Sequence, residues 1–378
     1  MDFSLTEEQE AIRDLARQIF EGHVSHERLL ELEKSGEWYD TTLWGELARA
    51  NLTSLAVPEA YGGGGFGAFE LCLALEEQGR HVAPVPLLAT ALLGALPIAE
   101  FGSDAQKQRW LPEVAERQAV LSAALCELGG SVPSLPRVTA RRDADGWRLD
   151  GEKECVPGAH LASAILVPAR TDRGVGVFVL DPGAAGVALE RQVVTHREPQ
   201  SRLLLDGARV PDADVLGDPD AGASIVDWIV DRACLGLAAI QVGVADGALR
   251  QTASYVSERK QFGRPIGTFQ GVALRAADAY IDIEAMRAIL YEAAWRLSAG
   301  REATAEIAAA KWWAARAGQR VVHTAQHLHG GIGSDIEYPI HRHFLWAKQN
   351  ELAFGGANQQ LARIGARLVG AGSAAAGA

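Results

Sequence analysis

The sequence lacks the cysteine spacings that indicate a metal site or a disulfide framework. It has only four cysteines in 378 residues, Cys72, Cys126, Cys155 and Cys234, and no two of them form a CxxC pair. We therefore expect reduced core cysteines of a cytosolic protein and no metal centre.

Basic charge and long apolar runs are scarce as well. The chain has 36 Lys and Arg against 48 Asp and Glu, a formal net charge of −12. This balance argues against generic nucleic-acid binding, which needs an extended basic face. No uninterrupted apolar run reaches the roughly 18 residues of a membrane-spanning helix. The early acidic residues Asp2, Glu7, Glu8 and Glu10 have the wrong sign for a signal peptide. We expect a cytoplasmic protein without a nucleic-acid or membrane partner.

Helical, strand-like and again helical patterns follow one another along the chain. Thr6 and Gln9 form a capping-box signature before apolar residues at helical spacing, which predicts a helix over 6–20. Helical patterns continue to about residue 118, and short alternating runs broken by Gly, Pro and Asp follow. Later helical patterns cover 224–258, 269–299, 302–330 and 340–369. The sequence therefore predicts an α+β protein with a helical domain (1–118), a small β-barrel or sandwich (119–217) and a four-helix bundle (218–378).

A cationic turn interrupts the acidic sequence where the first C-terminal helical pattern ends. Residues 257–270 read Ser-Glu-Arg-Lys-Gln-Phe-Gly-Arg-Pro-Ile-Gly-Thr-Phe-Gln and carry Arg259, Lys260 and Arg264. A solvent-exposed helix end often carries several cations without binding a ligand, so the three charges alone do not indicate a site. The planar donor fork of Arg259 nevertheless suits a phosphate-bearing ligand.

Together with five other motifs, this segment resembles the acyl-CoA dehydrogenase family. The other motifs occur in the family's order over nearly the whole chain: residues 3–9 (FSLTEEQ), 57–65 (VPEAYGGGG), 149–153 (LDGEK), 210–217 (VPDADVLG) and 329–339 (HGGIGSDIEYP). The resemblance implies the acyl-CoA dehydrogenase fold, an FAD cofactor and the α,β-desaturation of a CoA thioester. In that reaction a base removes the α-proton while the flavin accepts a hydride.

The resemblance also implies roles for residues that a subunit lends to the FAD of its neighbour, which we call the trans half-site. Arg259 would bind the FAD pyrophosphate and Phe262 would lie against the cofactor. Gln270, His327 and the backbone of Gly330, Gly331 and Gly333 would complete this half-site, because glycines allow close backbone approach.

The catalytic base of the family is missing from both of its usual positions. The usual Glu, on the loop before the last helix, corresponds to Phe354, and the Thr expected two residues later corresponds to Gly356. Some relatives carry the Glu on the first helix of the bundle, at a position that corresponds to Ala233. Asp231 lies two residues away, a rotation of about 200° on a helix. It remains the candidate base of the lone chain.

The residues that a subunit uses on its own flavin, the cis half-site, are degraded too. Where the family has a Thr-Glu-x-x-Gly-Ser-Asp segment, this chain reads Cys126-Glu127-Leu128-Gly129-Gly130-Ser131-Val132-Pro133. Where the family has Trp-Ile-Thr or Trp-Ile-Ser, it reads Cys155-Val156-Pro157, and Pro157 lacks a backbone donor.

A retained trans half-site with a lost cis half-site resembles one branch of the family. Its members pair a Glu-bearing subunit with a Glu-less one, as in α2β2 tetramers with two FAD, and several are linked to steroid side-chain degradation. We therefore expect a non-catalytic subunit with acyl-CoA as substrate of the complex.

Three alternatives remain open at this stage. The chain could be an active homo-oligomeric dehydrogenase that uses Asp231 or Glu127 as its base. It could be a flavin-free scaffold or acyl-CoA-binding subunit. It could also use its flavin for other chemistry on CoA or carrier-protein thioesters. His323 and His327 stand at i and i+4, as metal ligands can, but no Cys or Asp ligand or HExxH glutamate accompanies them, so we expect no metal.

Overall fold

The computed structural model describes residues 4–37, 39–129 and 132–375. Asp2 and Phe3 of the N-terminal pattern and Gly130 and Ser131 of the cis segment lie outside these ranges. The described elements confirm the predicted order of helices, strands and helices.

The first helical region is built as its caps and periodicity predict. The Thr6 hydroxyl accepts the Gln9 backbone N–H at 3.2 Å, and the Gln9 side chain accepts the Thr6 N–H at 3.1 Å, which confirms the capping box. The helix that follows this capping box ends at His23, three residues beyond the predicted end at residue 20. The region contains α1 (Glu7–His23), α2 (His26–Ser35), α3 (Thr41–Arg49), α4 (Ala68–His81), a π-helical segment (Ala89–Ala95) that leads into α5 (Leu96–Phe101), and α6 (Asp104–Arg117).

The middle strands hydrogen-bond into a single mixed sheet of eight strands. They are β1 (Val120–Ala123), β2 (Thr139–Asp143), β3 (Gly146–Pro157), β4 (Ala162–Arg170), β5 (Val175–Leu180), β6 (Val187–Gln192), β7 (Gln200–Val210) and β8 (Val215–Leu216). The order along the sheet is β6-β7-β3-β2-β4-β5-β8, and β1 pairs in parallel with β4. The sequence predicted a small β-barrel or sandwich. The structure has the predicted β-region as one sheet, in which the strands from β6 to β8 are hydrogen-bonded in a continuous order.

The C-terminal region contains one more helix than the sequence predicted. It consists of α7 (Gly222–Glu258), a hairpin of β9 (Lys260–Gln261) and β10 (Arg264–Pro265), α8 (Gln270–Ser298), α9 (Thr304–His329), α10 (Ile340–Leu352) and α11 (Ala357–Ala375). The predicted helix over 340–369 is broken at 353–356, because Phe354 and Gly355 both have positive φ, which a helix cannot contain.

Contacts divide the chain into two compact units, which we describe separately. One comprises Met1–Glu31, Ala68–Ala83 and Cys234–Ala378, and the other comprises Leu32–Gly67 and Pro84–Ala233. The sheet lies wholly within the second unit. The three-domain division at residues 118 and 217 stays a prediction.

Helices α4 and α7 cross at very short distance in the first unit. A Cβ at Gly79 would overlap the Ile240 carbonyl, and one at Gly243 would overlap the Glu76 carbonyl. Only glycines allow such backbone contact. The crossing fixes the helix whose C-terminal end leads into the cationic hairpin.

Buried charges surround this crossing. Arg80 forms ion pairs with Glu76 at 3.1 Å, with Glu77 at 2.9 Å and with Asp246 of α7, and Arg287 of α8 reaches Glu76 at 3.0 Å. Because breaking a buried network leaves uncompensated charge, these pairs resist rearrangement of the three helices.

Helix α7 contains an 18-residue window that is long and apolar enough to cross a membrane by composition. Charged residues such as Asp231, Arg232 and Asp246 interrupt its apolar residues, so no uninterrupted apolar run marks this helix in the sequence. The core helix of a globular protein passes the same test, and 89% of this window is buried inside the protein.

Candidate functional site

The cationic segment forms a tight β-hairpin directly after α7. Strands β9 and β10 pair antiparallel, and the two residues between them, Phe262 and Gly263, have φ of +51° and +81°. Positive φ at both loop positions is the pattern of a type I′ turn, which favours Asn or Gly. A phenylalanine in the first position is strained, and such strain is concentrated at functional sites.

The hairpin presents an aromatic ring and an unpaired cation to its surroundings. Phe262 is 94% exposed, and its ring packs edge-to-face with that of Phe269, at a centroid distance of 6.1 Å. The Arg264 guanidinium stacks on the Phe269 ring, 4.2 Å from the ring centroid. Within the described ranges the guanidinium of Arg259 has no hydrogen-bond or ion-pair partner, so all of its donors are available. Gln270, also exposed, begins α8.

The glycine turn after α9 uses each glycine differently. Gly330 has φ +68° and ψ −143°, a conformation that side chains disfavour. A Cβ on Gly333 would lie 2.9 Å from the Gln326 carbonyl oxygen, whereas one on Gly331 would meet nothing within 4 Å. Gly331 therefore faces open space, into which a ligand could come close to the backbone. The His327 side chain is exposed in the last turn of α9.

An aromatic cluster that the sequence analysis missed joins the hairpin to the glycine turn. Tyr255 stacks on His329 with ring centroids 4.5 Å apart, and Tyr338 lies 5.4 Å from His329. Arg259 donates its backbone N–H to the Tyr255 carbonyl at 2.8 Å, and His329 directly precedes Gly330. Burial lowers the pKa of His329, which suits a neutral stacked ring. The structure thus brings the predicted trans half-site residues onto one connected support.

No carboxylate occupies either of the two base positions. Phe354 lies half-buried in the turn between α10 and α11, and Ala233 is fully buried in α7. Asp231 is 7% exposed and adjoins Arg232, whose guanidinium stacks 3.5 Å from the Trp228 ring centre. Burial lowers the pKa of Arg232 to about 10, although the negative charge of Asp231 acts to raise it. Asp231 is therefore a buried carboxylate beside a cation on α7.

Glu127, the other alternative base, is bound in an ion pair within the sheet unit. Its carboxylate lies 2.6 Å from the Lys153 ammonium, and it accepts the backbone N–H groups of Arg137 at 2.8 Å and Val138 at 3.2 Å. Burial alone would raise the pKa of Glu127, but these bonds hold that pKa below its ordinary value. A stably ionised carboxylate with three donors is a poor proton acceptor.

The strand that carries the second cis element is bulged. Register shifts between Lys153 and Val156, and Cys155 has φ +52° and donates its N–H to the Gln192 side chain at 2.9 Å. The Pro157 carbonyl accepts the Ser122 hydroxyl at 2.5 Å. Against the family pattern, Cys155 stands at the Trp position, and Pro157, which has no backbone donor, stands at the position of the Thr or Ser.

Comparisons with known proteins agree with the sequence motifs. Residues 6–118 match the family model of the acyl-CoA dehydrogenase N-terminal domain, and residues 220–369 match that of the C-terminal domain. The acyl-CoA dehydrogenase FadE27 of Mycobacterium tuberculosis is 39% identical over 97% of this chain and 99% of its own length.

The chain belongs to the acyl-CoA dehydrogenase family.

Solved structures of family members have the same fold. A variant of the Tcur3481–Tcur3483 steroid ACAD matches with a TM-score of 0.90 and 47% identity, over 97% of this chain and 99% of that one. The ChsE4–ChsE5 complex of Mycobacterium tuberculosis matches with a TM-score of 0.92 and 39% identity, over 98% of this chain and 99% of that one. Butyryl-CoA dehydrogenase of Megasphaera elsdenii matches with a TM-score of 0.92 and 30% identity, over 98% and 100%.

Family membership fixes the cofactor and the reaction class. Acyl-CoA dehydrogenases are FAD-binding flavoproteins that oxidise the CH–CH bond of acyl-CoA thioesters. The residues present fit FAD unequally. The unpaired Arg259 and the open backbone at Gly331 can receive a pyrophosphate and its attached groups. Pro157, at the position of the family's Thr or Ser, supplies neither a hydroxyl nor a backbone donor to the cis half-site.

Proposed function

We propose that this chain is the Glu-less, non-catalytic subunit of a heteromeric FAD-dependent acyl-CoA dehydrogenase. It lends its trans half-site to a partner subunit that carries the catalytic Glu. One contrast carries the proposal: both base positions, Phe354 and Ala233, are apolar, while Arg259 and its hairpin remain built and accessible.

The residue roles follow from chemistry at these places. Arg259 pairs with the FAD pyrophosphate, because a guanidinium binds phosphate through parallel hydrogen bonds. Phe262 lies against the cofactor, and Gln270 and His327 contribute polar contacts beside it. The backbone of Gly330, Gly331 and Gly333 approaches the same cofactor closely.

The partner and substrate are proposed from the relatives. Two of the similar solved structures are named for two-component assemblies, and one of them is a steroid ACAD. We extend this to an α2β2 complex with two FAD that desaturates a bulky, steroid-type acyl-CoA in lipid degradation. The cytoplasmic location remains a prediction alongside it.

Flavin stoichiometry and reduction test this proposal. The chain is purified alone and after co-expression with a Glu-bearing relative, and anaerobic bleaching of the flavin by acyl-CoA is recorded. We expect one FAD per heterodimer, bleaching only in the complex, and no bleaching of the lone chain. If the chain purified alone bound one FAD per chain and acyl-CoA bleached that flavin, the result would overturn the proposal and favour Asp231 as base. A colourless but assembled complex would favour a flavin-free scaffold.

Variants of Arg259 locate the half-site. Arg259→Met removes hydrogen bonds to a charged group, worth about 1.5–3 kcal/mol, so the complex should bind FAD about 10- to 100-fold more weakly. Arg301, an exposed arginine stacked on Trp295 at 4.7 Å, provides the matched control. Arg301→Met should leave FAD affinity unchanged; equal effects of both variants would remove Arg259 from the site.

A further inference from the structure

The turn at the lost base position holds a bulky residue in an unfavourable conformation. Phe354 has φ +52° and Gly355 has φ +98°. A glycine or asparagine would adopt the first conformation at little cost, whereas a left-handed phenylalanine is strained. Strain of this kind persists only where the surroundings over-determine the backbone.

A buried lysine from α9 fixes the turn from one side. The Lys311 ammonium donates to the carbonyl oxygens of Asn350 at 2.8 Å, Glu351 at 3.1 Å and Gly355 at 3.3 Å, and the residue is 1% exposed. These contacts use all three of its N–H donors and neutralise the C-terminal end of α10. Burial lowers the pKa of Lys311 to about 8, so the cation is still the main form at neutral pH.

A buried glutamine from α11 fixes the same turn from the other side. The Gln360 amide donates to the carbonyl oxygens of Phe354 at 3.0 Å and Gly355 at 3.1 Å. Arg363 donates to the Gln360 amide oxygen at 3.2 Å, and the Cys234 sulfur lies 3.9 Å from the Phe354 carbonyl. Two buried side chains thus fix the backbone that carries residue 354.

A phenyl ring at this position conflicts with substrate. A base that removes the α-proton must lie within hydrogen-bond reach of the α-carbon. A ring on the same backbone position is wider than a carboxylate and has no proton-accepting atom, so it takes the space that the α-carbon of a thioester would need.

We propose that Phe354, held by Lys311 and Gln360, is a plug that keeps acyl-CoA out of this chain's own incomplete site. The proposal rests on the proposed function, in which the productive site belongs to the partner subunit. The plug confines acyl-CoA to the sites that contain a base. Lys311 and Gln360 act on substrate only through the turn and are positioning residues.

Counting acyl-CoA sites tests the plug. Equilibrium dialysis with radiolabelled octanoyl-CoA under anaerobic conditions measures the bound probe per heterodimer in the purified complex. We expect Phe354→Ala to bind one more probe per heterodimer than the wild type, with unchanged FAD content. Phe354→Gly, which relieves the strain at φ +52°, is a second variant with the same expected gain.

Positioning is tested by hydrogen exchange and by variants of the two holding residues. Lys311→Met should speed amide exchange over residues 353–357 and raise probe binding part of the way toward the Phe354→Ala value. Lys348→Met is the matched control, because it breaks only the half-exposed ion pair between Lys348 and Glu351 of α10, at 2.6 Å. It should change neither the amide exchange nor the probe binding. Leu352→Ala, a change at an exposed residue two positions before Phe354, controls for simple loss of apolar surface.

Either of two results would overturn the plug: no gain of probe in both Phe354 variants, or the same gain with Leu352→Ala. The proposed function fails separately, by an FAD content other than one per heterodimer. A complex with the expected flavin but no gained site therefore rejects the plug alone.

Discussion

Breaking the buried ion pair between Lys153 and Glu127 should destabilise the sheet unit far more than breaking an exposed pair on the same sheet. The two side chains are 0% and 3% exposed, with 2.6 Å between Nζ and Oε1. Lys153→Met would leave the carboxylate buried without its cation, which costs about 3–5 kcal/mol. For a unit of this size that corresponds to a fall in melting temperature of roughly 10 °C.

Differential scanning fluorimetry of four proteins checks the pair: wild type, Lys153→Met, Glu127→Gln and the double variant. The double variant should recover much of the lost stability, because no buried charge is left unpaired. Arg148→Met is the control; it breaks a half-exposed pair with Asp143 on neighbouring strands at 2.7 Å and should change stability by less than about 1 kcal/mol.

The pH dependence gives a second check with a defined sign. The folded-state pKa of Glu127 lies below its ordinary value of 4.5. The pair therefore stabilises the fold above pH 4.5, and this contribution is lost as the pH falls through the folded value. The gap between wild type and Lys153→Met should narrow there. Two results would refute this reasoning: single variants with the melting temperature of the wild type, or a double variant whose loss of stability equals the sum of the two single losses.

Three further predictions concern the unit that comprises Met1–Glu31, Ala68–Ala83 and Cys234–Ala378. Gly331→Ala should leave the melting temperature unchanged but weaken FAD binding by the complex about tenfold by overpacking, whereas Gly333→Ala should also lower the melting temperature, since its Cβ would lie 2.9 Å from a carbonyl oxygen. Gly243→Ala should cost about 1–3 kcal/mol or prevent folding, because its Cβ would overlap the Glu76 carbonyl. Burial lowers the pKa of His343 to about 4, so stability measured by urea unfolding should fall as the pH drops from 6.5 toward 4, by at most about 1.4 kcal/mol per pH unit, and His343→Leu should flatten that slope.

Each of these has a contradicting result. Unchanged FAD affinity in Gly331→Ala would place Gly331 outside the trans half-site. An unaltered melting temperature in Gly243→Ala would contradict the close crossing of α4 and α7. A wild type with constant stability between pH 6.5 and 4 would contradict a buried neutral His343.

Local chemistry made part of the site predictable. The cationic segment around Arg259 was recognisable because hairpin residues and charges are adjacent in sequence. The missing base was recognisable for the same reason, since Phe354 sits at a fixed spacing from the Tyr338-Pro339 motif. The capping box from Thr6 to Gln9 spans only four residues and was predicted correctly.

The remaining features depend on contacts between distant residues. Tyr255 and His329 stack across 74 positions of sequence, and no periodicity indicates that pairing. The break between α10 and α11 was missed, because the apolar spacing continues through it. Lys311 did leave a signal, as a single cation on the alanine-rich buried face of α9, but its carbonyl partners come from another helix.

The left-handed Phe354 turn also has an evolutionary consequence. No phenylalanine codon becomes an aspartate or glutamate codon by one nucleotide substitution. The two-step routes to an aspartate codon pass through valine, which is β-branched and poorly suited to positive φ, or through tyrosine, which keeps a bulky ring in that conformation. Once such a chain has lost its carboxylate, point mutation does not readily return it. Under the proposed function, dependence on a partner gene that encodes the carboxylate is then self-perpetuating.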